Sequence, residues 1–317
     1  MSTSAPPTLD PVAVKRFRSL QSAKSTAWLH TEVAKRMVER LNWFKEIPKS
    51  WIDWEPINGG IDAHSSIQNR YPAANALVIE YNTRRLEEAK RLLTPNWIKR
   101  FLPVMKNSKL FMKGKTSFAL EYPPANMQVD FVWANMLLHL EPNPSALIKS
   151  WHKALHVGGW VMFSCLGPDT CKELRKIYAE LGWTSPAHEF TDMHDWGDML
   201  VESGFADPVM DMERITLTYS SSASLIQDLR AMGANFNRNR FNALRGKRWM
   251  QEFKTQLFHT AQTKNTPPSE SQSNAQTPLT FEIIYGHAFK VAPKIRVTES
   301  SAFSAEDMRA ILKAGKN

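Results

Sequence analysis

The sequence contains little cysteine, little glycine and no long apolar run, and each shortage excludes a class of protein. Its two cysteines, Cys165 and Cys171, are too few for a disulfide framework and lack the spacing of a metal site. No apolar run approaches the roughly 18 residues that span a membrane. The first ten residues have no Lys or Arg and no apolar segment follows them, so they do not resemble a secretory signal. We therefore expect a soluble cytoplasmic protein that binds no metal.

Positive charge is the main compositional bias. The 317 residues are 43% apolar, enough to bury the core of one or two domains, and carry a formal net charge of +9. Two segments, 103–115 and 238–248, are basic and contain no acid. We interpret each either as a solvated face or as a docking surface for an acidic macromolecule. The second segment holds five cations: Arg238, Arg240, Arg245, Lys247 and Arg248.

Short β-like runs alternate with amphipathic helical stretches along most of the chain. This alternation predicts parallel βαβ units and therefore a doubly wound α/β sheet. A helix over 28–44 precedes the first strand, and two helical patterns, 225–232 and 249–258, separate the last two strands. The seven strands are predicted at Trp51–Asp53, Ala76–Glu80, Ser117–Leu120, Val129–Ala134, Trp160–Ser164, Val209–Tyr219 and Phe281–Phe289.

The same pattern divides the chain into five parts. Residues 1–50 form an N-terminal helical region, 51–219 the sheet domain, and 220–262 a helical insertion that covers it. Residues 263–278 are polar and rich in Pro, Ser, Asn and Gln, which predicts a flexible linker. Residues 279–317 supply the final strand and a C-terminal tail.

The loop after the first strand lacks most of the glycine of a nucleotide-binding turn. In Asp-x-Gly-x-Gly-x-Gly, glycine lets the backbone adopt positive φ and approach a ligand closely. Here the segment reads Asp53-Trp54-Glu55-Pro56-Ile57-Asn58-Gly59, so Glu55 and Ile57 replace the first two glycines and Gly59 remains. We expect a carboxylate and a β-branched side chain there to weaken ligand binding by about 1–3 kcal/mol each.

Six segments beyond that loop share the pattern of one family: Val129–Asn135, Gly167–Thr170, Asp192–Asp195, Gly204–Asp211, Leu217–Tyr219 and Tyr285–Ala288. In these segments the chain resembles the malonyl-[acyl-carrier-protein] O-methyltransferases of biotin synthesis. That family has the class I methyltransferase fold, a seven-stranded Rossmann-like sheet with a helical insertion between its last two strands. A branch of mitochondrial complex I assembly factors shares several of these motifs.

The resemblance implies S-adenosyl-L-methionine as cofactor, bound by Asp53, Gly59, Glu80 and Asn135. Glu80 ends the second strand, where an acid accepts hydrogen bonds from ribose hydroxyls. Asn135 matches a position that borders the methyl donor. Two of these residues have a simpler alternative role. Asp53 could cap the turn that follows it, and Glu80 could be a solvated residue at the end of a strand.

The resemblance also implies methyl transfer to the free carboxylate of a malonyl thioester that an acidic acyl carrier protein presents. Such a carboxylate is already an anion at neutral pH, so it needs no general base, and the sequence identifies no catalytic residue. A cation would orient the carboxylate instead. Arg230 is the first candidate, followed by Arg175 and Arg214, and each also suits an ordinary surface arginine.

Two other functions remain open. A chain that kept the fold but lost the cofactor would be a pseudoenzyme that serves as an assembly or accessory protein. The basic charge, with Phe236, Phe241 and Trp249 near the second segment, also suggests nucleic-acid binding, although no recognised nucleic-acid motif is present.

Overall fold

The structure, a computed structural model, describes residues 8–20, 27–94, 114–262 and 277–292. These ranges include all seven predicted strands. Most of the basic segment 103–115 and all but the last two residues of the predicted linker 263–278 lie outside the described residues.

The seven strands form one sheet in the order β3-β2-β1-β4-β5-β7-β6. Strands β1 to β5 run parallel, whereas β7 lies antiparallel to both β5 and β6. This topology confirms the predicted doubly wound class I methyltransferase sheet. The strands are β1 (Ser50–Trp54), β2 (Asn75–Glu80), β3 (Thr116–Leu120), β4 (Val129–Ala134), β5 (Leu155–Leu166), β6 (Phe205–Tyr219) and β7 (Thr277–Lys290).

Helices cover both faces of the sheet, which is why its central strands are buried on both sides. Five of the helices begin after a side chain that accepts a backbone hydrogen bond: Asp10, Asn82, Asn143, Asp192 and Ser221. The helices are α1 (Pro11–Leu20), α2 (Trp28–Arg40), α3 (Pro56–Gly59), α4 (Ile61–Arg70), α5 (Thr83–Leu93), α6 (Pro144–Ala154), α7 (Lys172–Glu180), α8 (Met193–Glu202), α9 (Ser222–Met232) and α10 (Lys247–Gln262).

The predicted insertion lies between β6 and β7 and contains α9 and α10. Leu225 of α9, together with Phe253 and Leu257 of α10, joins the hydrophobic core that includes α2, α4 and α7. A second core, built on α6 and α8, covers the opposite face of the sheet. The insertion is therefore packed on one face only.

Three strands begin four or five residues earlier than predicted, and one of them is β5, which begins at Leu155 rather than Trp160. Strand β7 begins at Thr277, so the last two residues of the predicted linker belong to the strand. Strand β6 begins at Phe205 rather than Val209, with a break in register between Ala206 and Val209. The chain bulges there because Asp207 has a φ of 49° and Pro208 has no N–H to donate to the ladder.

None of the helices in the described ranges is long and apolar enough to cross a membrane.

Candidate active site

A pocket of about 370 Å³ lies at the carboxyl ends of the parallel strands, where the strand order reverses between β1 and β4. In open α/β sheets this crevice is the usual ligand site. We call it the donor pocket. It is lined by residues at or beyond the ends of β1, β2, β3 and β4, and α1 covers it. Its walls include three aromatic rings and three acids: Trp54, Tyr81, Tyr122, Glu55, Glu121 and Glu141.

Glu55 occupies the position of the first loop glycine in a left-handed backbone conformation, with φ 53° and ψ 54°. A residue with a side chain is strained there by about 1 kcal/mol or more. Pro56 follows at the first position of α3, where its missing N–H removes no helical hydrogen bond. The loop therefore keeps the turn that glycine favours, but it adds a carboxylate to the pocket wall.

Ile57, the other glycine replacement, points into the core. Its side chain packs in a hydrophobic cluster with Val78 of β2 and Ala89 of α5, and it does not line the donor pocket. The α3 turn causes this difference by rotating successive side chains about its axis. Of the two replacements, the structure brings only Glu55 to the ligand space.

A buried ion cluster closes the β1 end of the pocket. The guanidinium of Arg18, on α1, donates from Nη1 to Oε2 of Glu141 at 3.2 Å. Its Nη2 lies 3.4 Å from Oε1 of Glu55, without hydrogen-bond geometry. Arg85 of α5 donates to Oε2 of Glu55 at 3.3 Å. Burial lowers the pKa of Arg18, but the charges of Glu55 and Glu141 outweigh it and leave that pKa above its usual value.

Glu80 ends β2 and is fully buried, so it is not a solvated strand end. Its Oε1 accepts a hydrogen bond from the N–H of Ile57 at 2.8 Å. Its Oε2 has no hydrogen-bond partner among the described residues. Burial, followed by the charge of Glu55, raises the pKa of Glu80 to about 8. The group is therefore mostly protonated at neutral pH.

Asn135 and Gly59 bind each other behind the loop. Nδ2 of Asn135 donates to the carbonyl oxygens of Gly59 and of His30, the latter at 2.9 Å, and its Oδ1 accepts from Oγ of Ser164 at 2.6 Å. A Cβ on Gly59 would lie 2.9 Å from the carbonyl oxygen of Asn135. The glycine is thus required for packing against β4, and neither residue lines the donor pocket.

Asp53 also lies outside the donor pocket. Its Oδ2 is 2.8 Å from Nδ1 of His64 on α4, and both side chains are buried. Burial raises the pKa of Asp53. The carboxylate thus fixes α4 to β1, and no hydrogen bond from Asp53 to the following turn is present in the described residues.

The lining of the donor pocket can be compared with the groups of S-adenosyl-L-methionine, the cofactor that the resemblance implies. Nη2 of Arg18 is a donor without a hydrogen bond in the described chain, which suits a ligand carboxylate. Oε2 of Glu80 also has no hydrogen-bond partner among the described residues, but Glu80 is fully buried and does not line the pocket. The aromatic walls suit a purine base. The residues therefore fit the cofactor, except that Glu55 places a negative charge beside the ligand's own carboxylate.

A second cavity, of about 290 Å³, lies under the insertion and is mostly apolar. Segments that follow β4 and β5 form its floor, and α9 and α10 form its roof. Its apolar walls include Leu174, Phe190, Phe236, Trp249, Phe253 and Phe281. We call it the acceptor cavity.

The structure separates the three candidate arginines. Arg230 lines the acceptor cavity. Arg175 donates from Nη2 to the carbonyl oxygens of Pro168 and Thr170, so its guanidinium is occupied by the backbone. Arg214 is exposed and pairs with Asp169 at 2.9 Å. Of the three candidates, only Arg230 lines this cavity.

Two buried histidines of the acceptor cavity gave no signal in the sequence. His188 donates from Nε2 to the carbonyl oxygen of His139 at 2.8 Å, when its proton is assigned to that nitrogen. Burial lowers the pKa of His188 to about 4 and holds that of His139 well below its usual value. Both imidazoles are therefore neutral at physiological pH and add no positive charge to the cavity.

The donor pocket and the acceptor cavity adjoin at the segment after β4. Leu140 lines the cavity and Glu141 lines the pocket. Leu140 packs with Val14 of α1 and Phe236 of the insertion. Helix α1 thus lines the donor pocket and packs against two residues of the acceptor-cavity wall, Leu140 and Phe236.

Sequence reasoning missed Arg18 and Glu141, which contribute to the donor pocket. No motif links them, because they lie far apart in the chain and meet only when α1 docks. One signal was available: Val14 and Arg18 are four residues apart and therefore share a helix face.

No protein-family model matches the chain. The malonyl-[acyl-carrier protein] O-methyltransferase of Gallionella capsiferriformans (strain ES-2) is 33% identical over 285 residues, which cover 88% of this chain and 89% of that relative. The protein of the same name from Nitrosospira multiformis is 34% identical over 276 residues, covering 86% of this chain and 85% of the relative. The chain belongs to this family.

One solved structure agrees with the fold of this chain. A candidate methyltransferase from Bacillus halodurans C-125 superposes with a TM-score of 0.50 at 13% identity, covering 82% of this chain and 100% of that one. At this identity the likeness shows the fold alone. Family membership identifies the chain as an S-adenosylmethionine-dependent methyltransferase. Within the described ranges no group of three or more His, Cys, Asp or Glu residues could hold a metal ion.

Proposed function

We propose that this protein methylates the free carboxylate of a malonyl thioester carried by an acyl carrier protein, as a step of biotin synthesis. One observation carries the proposal: a mostly apolar cavity with Arg230 in its wall adjoins the donor pocket. The relatives, which are named for this reaction, support it.

The chemistry requires positioning rather than proton transfer. Bound S-adenosyl-L-methionine supplies an electrophilic methyl group on a sulfonium ion. A carboxylate oxygen of the substrate would take this methyl group while the carbon–sulfur bond breaks and leaves its electron pair on sulfur, so that a methyl ester and a neutral thioether would form. Because the carboxylate is already ionised at neutral pH, no base is needed. Neutral His139 and His188 are compatible with this chemistry.

Each side of the site contributes a separate task. Arg230 can pair with the substrate carboxylate through two parallel hydrogen bonds. The apolar walls of the acceptor cavity exclude water and limit the poses of the acyl group. On the donor side, Arg18 would hold the carboxylate of the cofactor, while Asn135 fixes the loop.

The first experiment tests Arg230. Methyl-ester formation on a malonyl-loaded carrier protein would be followed by intact-protein mass spectrometry at several substrate concentrations. Arg230→Met should raise KM about tenfold or more, because a charge-assisted contact to the carboxylate is lost. Arg214→Met removes the same charge outside the cavity and should change KM by less than about twofold.

Equal effects of the two substitutions would remove Arg230 from the substrate site. Absence of methyl ester with the wild-type protein, at saturating cofactor and carrier protein, would contradict the proposal itself.

A second function, that of a non-catalytic accessory protein, is favoured by one observation: the carboxylate of Glu55 already faces Arg18 at the donor pocket. Calorimetric titration with S-adenosylhomocysteine separates the two functions. Measurable binding supports the enzyme. No binding, combined with intact binding of malonyl carrier protein, supports the accessory role.

A further inference from the structure

The donor pocket has two chemically different ends. Above β2 and β3 lie two aromatic rings of its wall, Tyr81 and Tyr122. Above β1 and β4 lie Glu55 and the Arg18 guanidinium. A ligand made of an adenine nucleoside and an amino acid would place its base and ribose at the first end and its charged groups at the second.

The charged end is already balanced without a ligand. Two guanidinium groups, Arg18 and Arg85, meet two carboxylates, Glu55 and Glu141. Glu80 adds little negative charge near neutral pH, because burial raises its pKa to about 8. A further carboxylate brought by a ligand would be a buried charge without a full counter-charge, which is costly.

We infer that Glu55 determines ligand selectivity in the donor pocket: it competes with a ligand carboxylate for Arg18, so the pocket favours an adenine nucleoside over the same nucleoside carrying an amino acid. This inference rests on the proposed function only in assigning a nucleoside to the donor pocket. It requires no methyl transfer.

Glu55 could instead receive the ammonium group of the amino acid, but its contacts argue against this. Its Oε1 faces Arg18 at 3.4 Å and its Oε2 accepts a hydrogen bond from Arg85 at 3.3 Å. The side chain is 6% exposed. Both carboxylate oxygens therefore already have a cationic partner, whereas Nη2 of Arg18 makes no hydrogen bond with any described residue.

The test compares two ligands by calorimetry: 5′-methylthioadenosine, which lacks the amino acid, and S-adenosylhomocysteine, which carries it. The wild-type protein should bind 5′-methylthioadenosine at least as tightly. Glu55→Gln keeps the shape of the side chain and removes its charge. It should tighten S-adenosylhomocysteine binding about tenfold or more and change 5′-methylthioadenosine binding by less than about twofold.

The affinity ratio of the two ligands guards against general damage to the fold, which would weaken both. Glu121→Gln is the matched control, because it removes an acid at the other end of the pocket that has no ion pair among the described residues, and it should leave the ratio unchanged. Adding Arg18→Gln to Glu55→Gln should return the ratio toward the wild-type value. If Glu55→Gln does not fold, Glu55→Gly serves the same comparison and relieves the left-handed strain.

Three results would overturn the inference. One is a ratio that Glu55→Gln leaves unchanged, and another is a selective loss of S-adenosylhomocysteine affinity, which would make Glu55 an ammonium ligand. The third is the absence of binding by either ligand to every variant. A shifted ratio without methyl-ester formation would leave the inference standing and contradict only the proposed function.

Discussion

At the scale of single residues, Glu55 combines a strained backbone with a stabilising side chain. Its left-handed φ costs about 1 kcal/mol or more. Removing one member of a buried ion pair costs about 3–5 kcal/mol, because the partner is left uncompensated. Glu55 is therefore part of the fold as well as of the ligand space. The sequence predicted that it would meet a ligand, but it could not predict its arginine partners, which tertiary packing supplies.

Glu80 makes the stability of the protein depend on pH. Its pKa is about 8 in the folded state, against about 4.5 in an unfolded chain. The folded state therefore binds more protons between these values, so stability from this group is greatest at low pH and is lost as the pH rises toward 8. Burial lowers the pKa of His30, His139 and His188. The protein therefore loses stability on acidification below about pH 6.5, where the imidazoles of the unfolded chain take up protons.

We expect the free energy of unfolding of the wild-type protein to fall between pH 6.5 and 8, and we expect Glu80→Gln to abolish this fall. From pH 6.5 to 8 the free energy of unfolding of the wild-type protein should fall by about 1–2 kcal/mol relative to the variant, because Glu80 keeps its proton in the folded wild type and releases it on unfolding. Glutamine keeps an oxygen for the N–H of Ile57. Urea unfolding at four pH values measures the difference.

Glu121→Gln, at an exposed position, serves as control and should leave the pH dependence as in the wild type. Parallel curves for wild type and Glu80→Gln would show that the Glu80 carboxyl does not titrate in this range.

At the scale of elements, the spacing of apolar residues predicted the strands and most helices, because each element buries one or two faces and therefore repeats apolar residues at a fixed interval. The sequence did not predict the α3 turn, because Pro56–Gly59 is too short to show a helical period. Nor did it predict where α1 docks. That helix is fixed by Val14 against Leu140 and Phe236, and by Arg18, all contacts between distant segments.

The docking of α1 can be tested by comparing a substitution on its buried face with the same substitution on its exposed face. Val14 is 1% exposed and Val12 is 75% exposed. Val14→Asp should detach the helix, because an unpaired carboxylate would be buried against Leu140. The helix contains Lys15, Arg16 and Arg18, so trypsin should then cleave it about tenfold faster or more. Val12→Asp should leave the cleavage rate close to that of the wild type.

Mass spectrometry of the first tryptic fragments measures these rates. Equal protection of both variants would contradict the packing of α1 over the donor pocket.

At the scale of the whole molecule, the basic segment 238–248 is less uniform than its sequence. Arg240 pairs with Asp10 at 2.7 Å, Arg238 donates to the carbonyl oxygen of Leu9, and Arg245 lies over the rings of Phe241 and Trp249. These arginines hold the insertion to the N-terminal segment and to itself. The sequence could not separate them from free cations, since the partners lie elsewhere. The aromatic rings near this segment also have partners within the protein: Phe236 is buried, and Phe241 and Trp249 contact Arg245.

Two exposed cations of the segment, Lys247 and Arg248 in the first turn of α10, make no side-chain hydrogen bond or ion pair with any described residue. The helix dipole disfavours positive charge there, so they do not serve the stability of the helix. The next two residues, Trp249 and Met250, line the acceptor cavity. An acidic carrier protein bound at this turn would present its acyl group beside the cavity.

We expect the double substitution Lys247→Ala and Arg248→Ala to weaken carrier-protein binding about fivefold or more at low salt, because exposed charge attraction is lost. The effect should shrink as salt rises, since screening acts over about 8–10 Å at physiological ionic strength. Lys149→Ala with Lys153→Ala removes the same charge from exposed positions on α6 and should have little effect. Surface plasmon resonance at three salt concentrations provides the measurement. Equal losses of affinity for the two double variants would mean that the net charge of the protein, rather than this turn, attracts the carrier protein. Tighter binding of RNA or DNA than of carrier protein would favour a nucleic-acid partner.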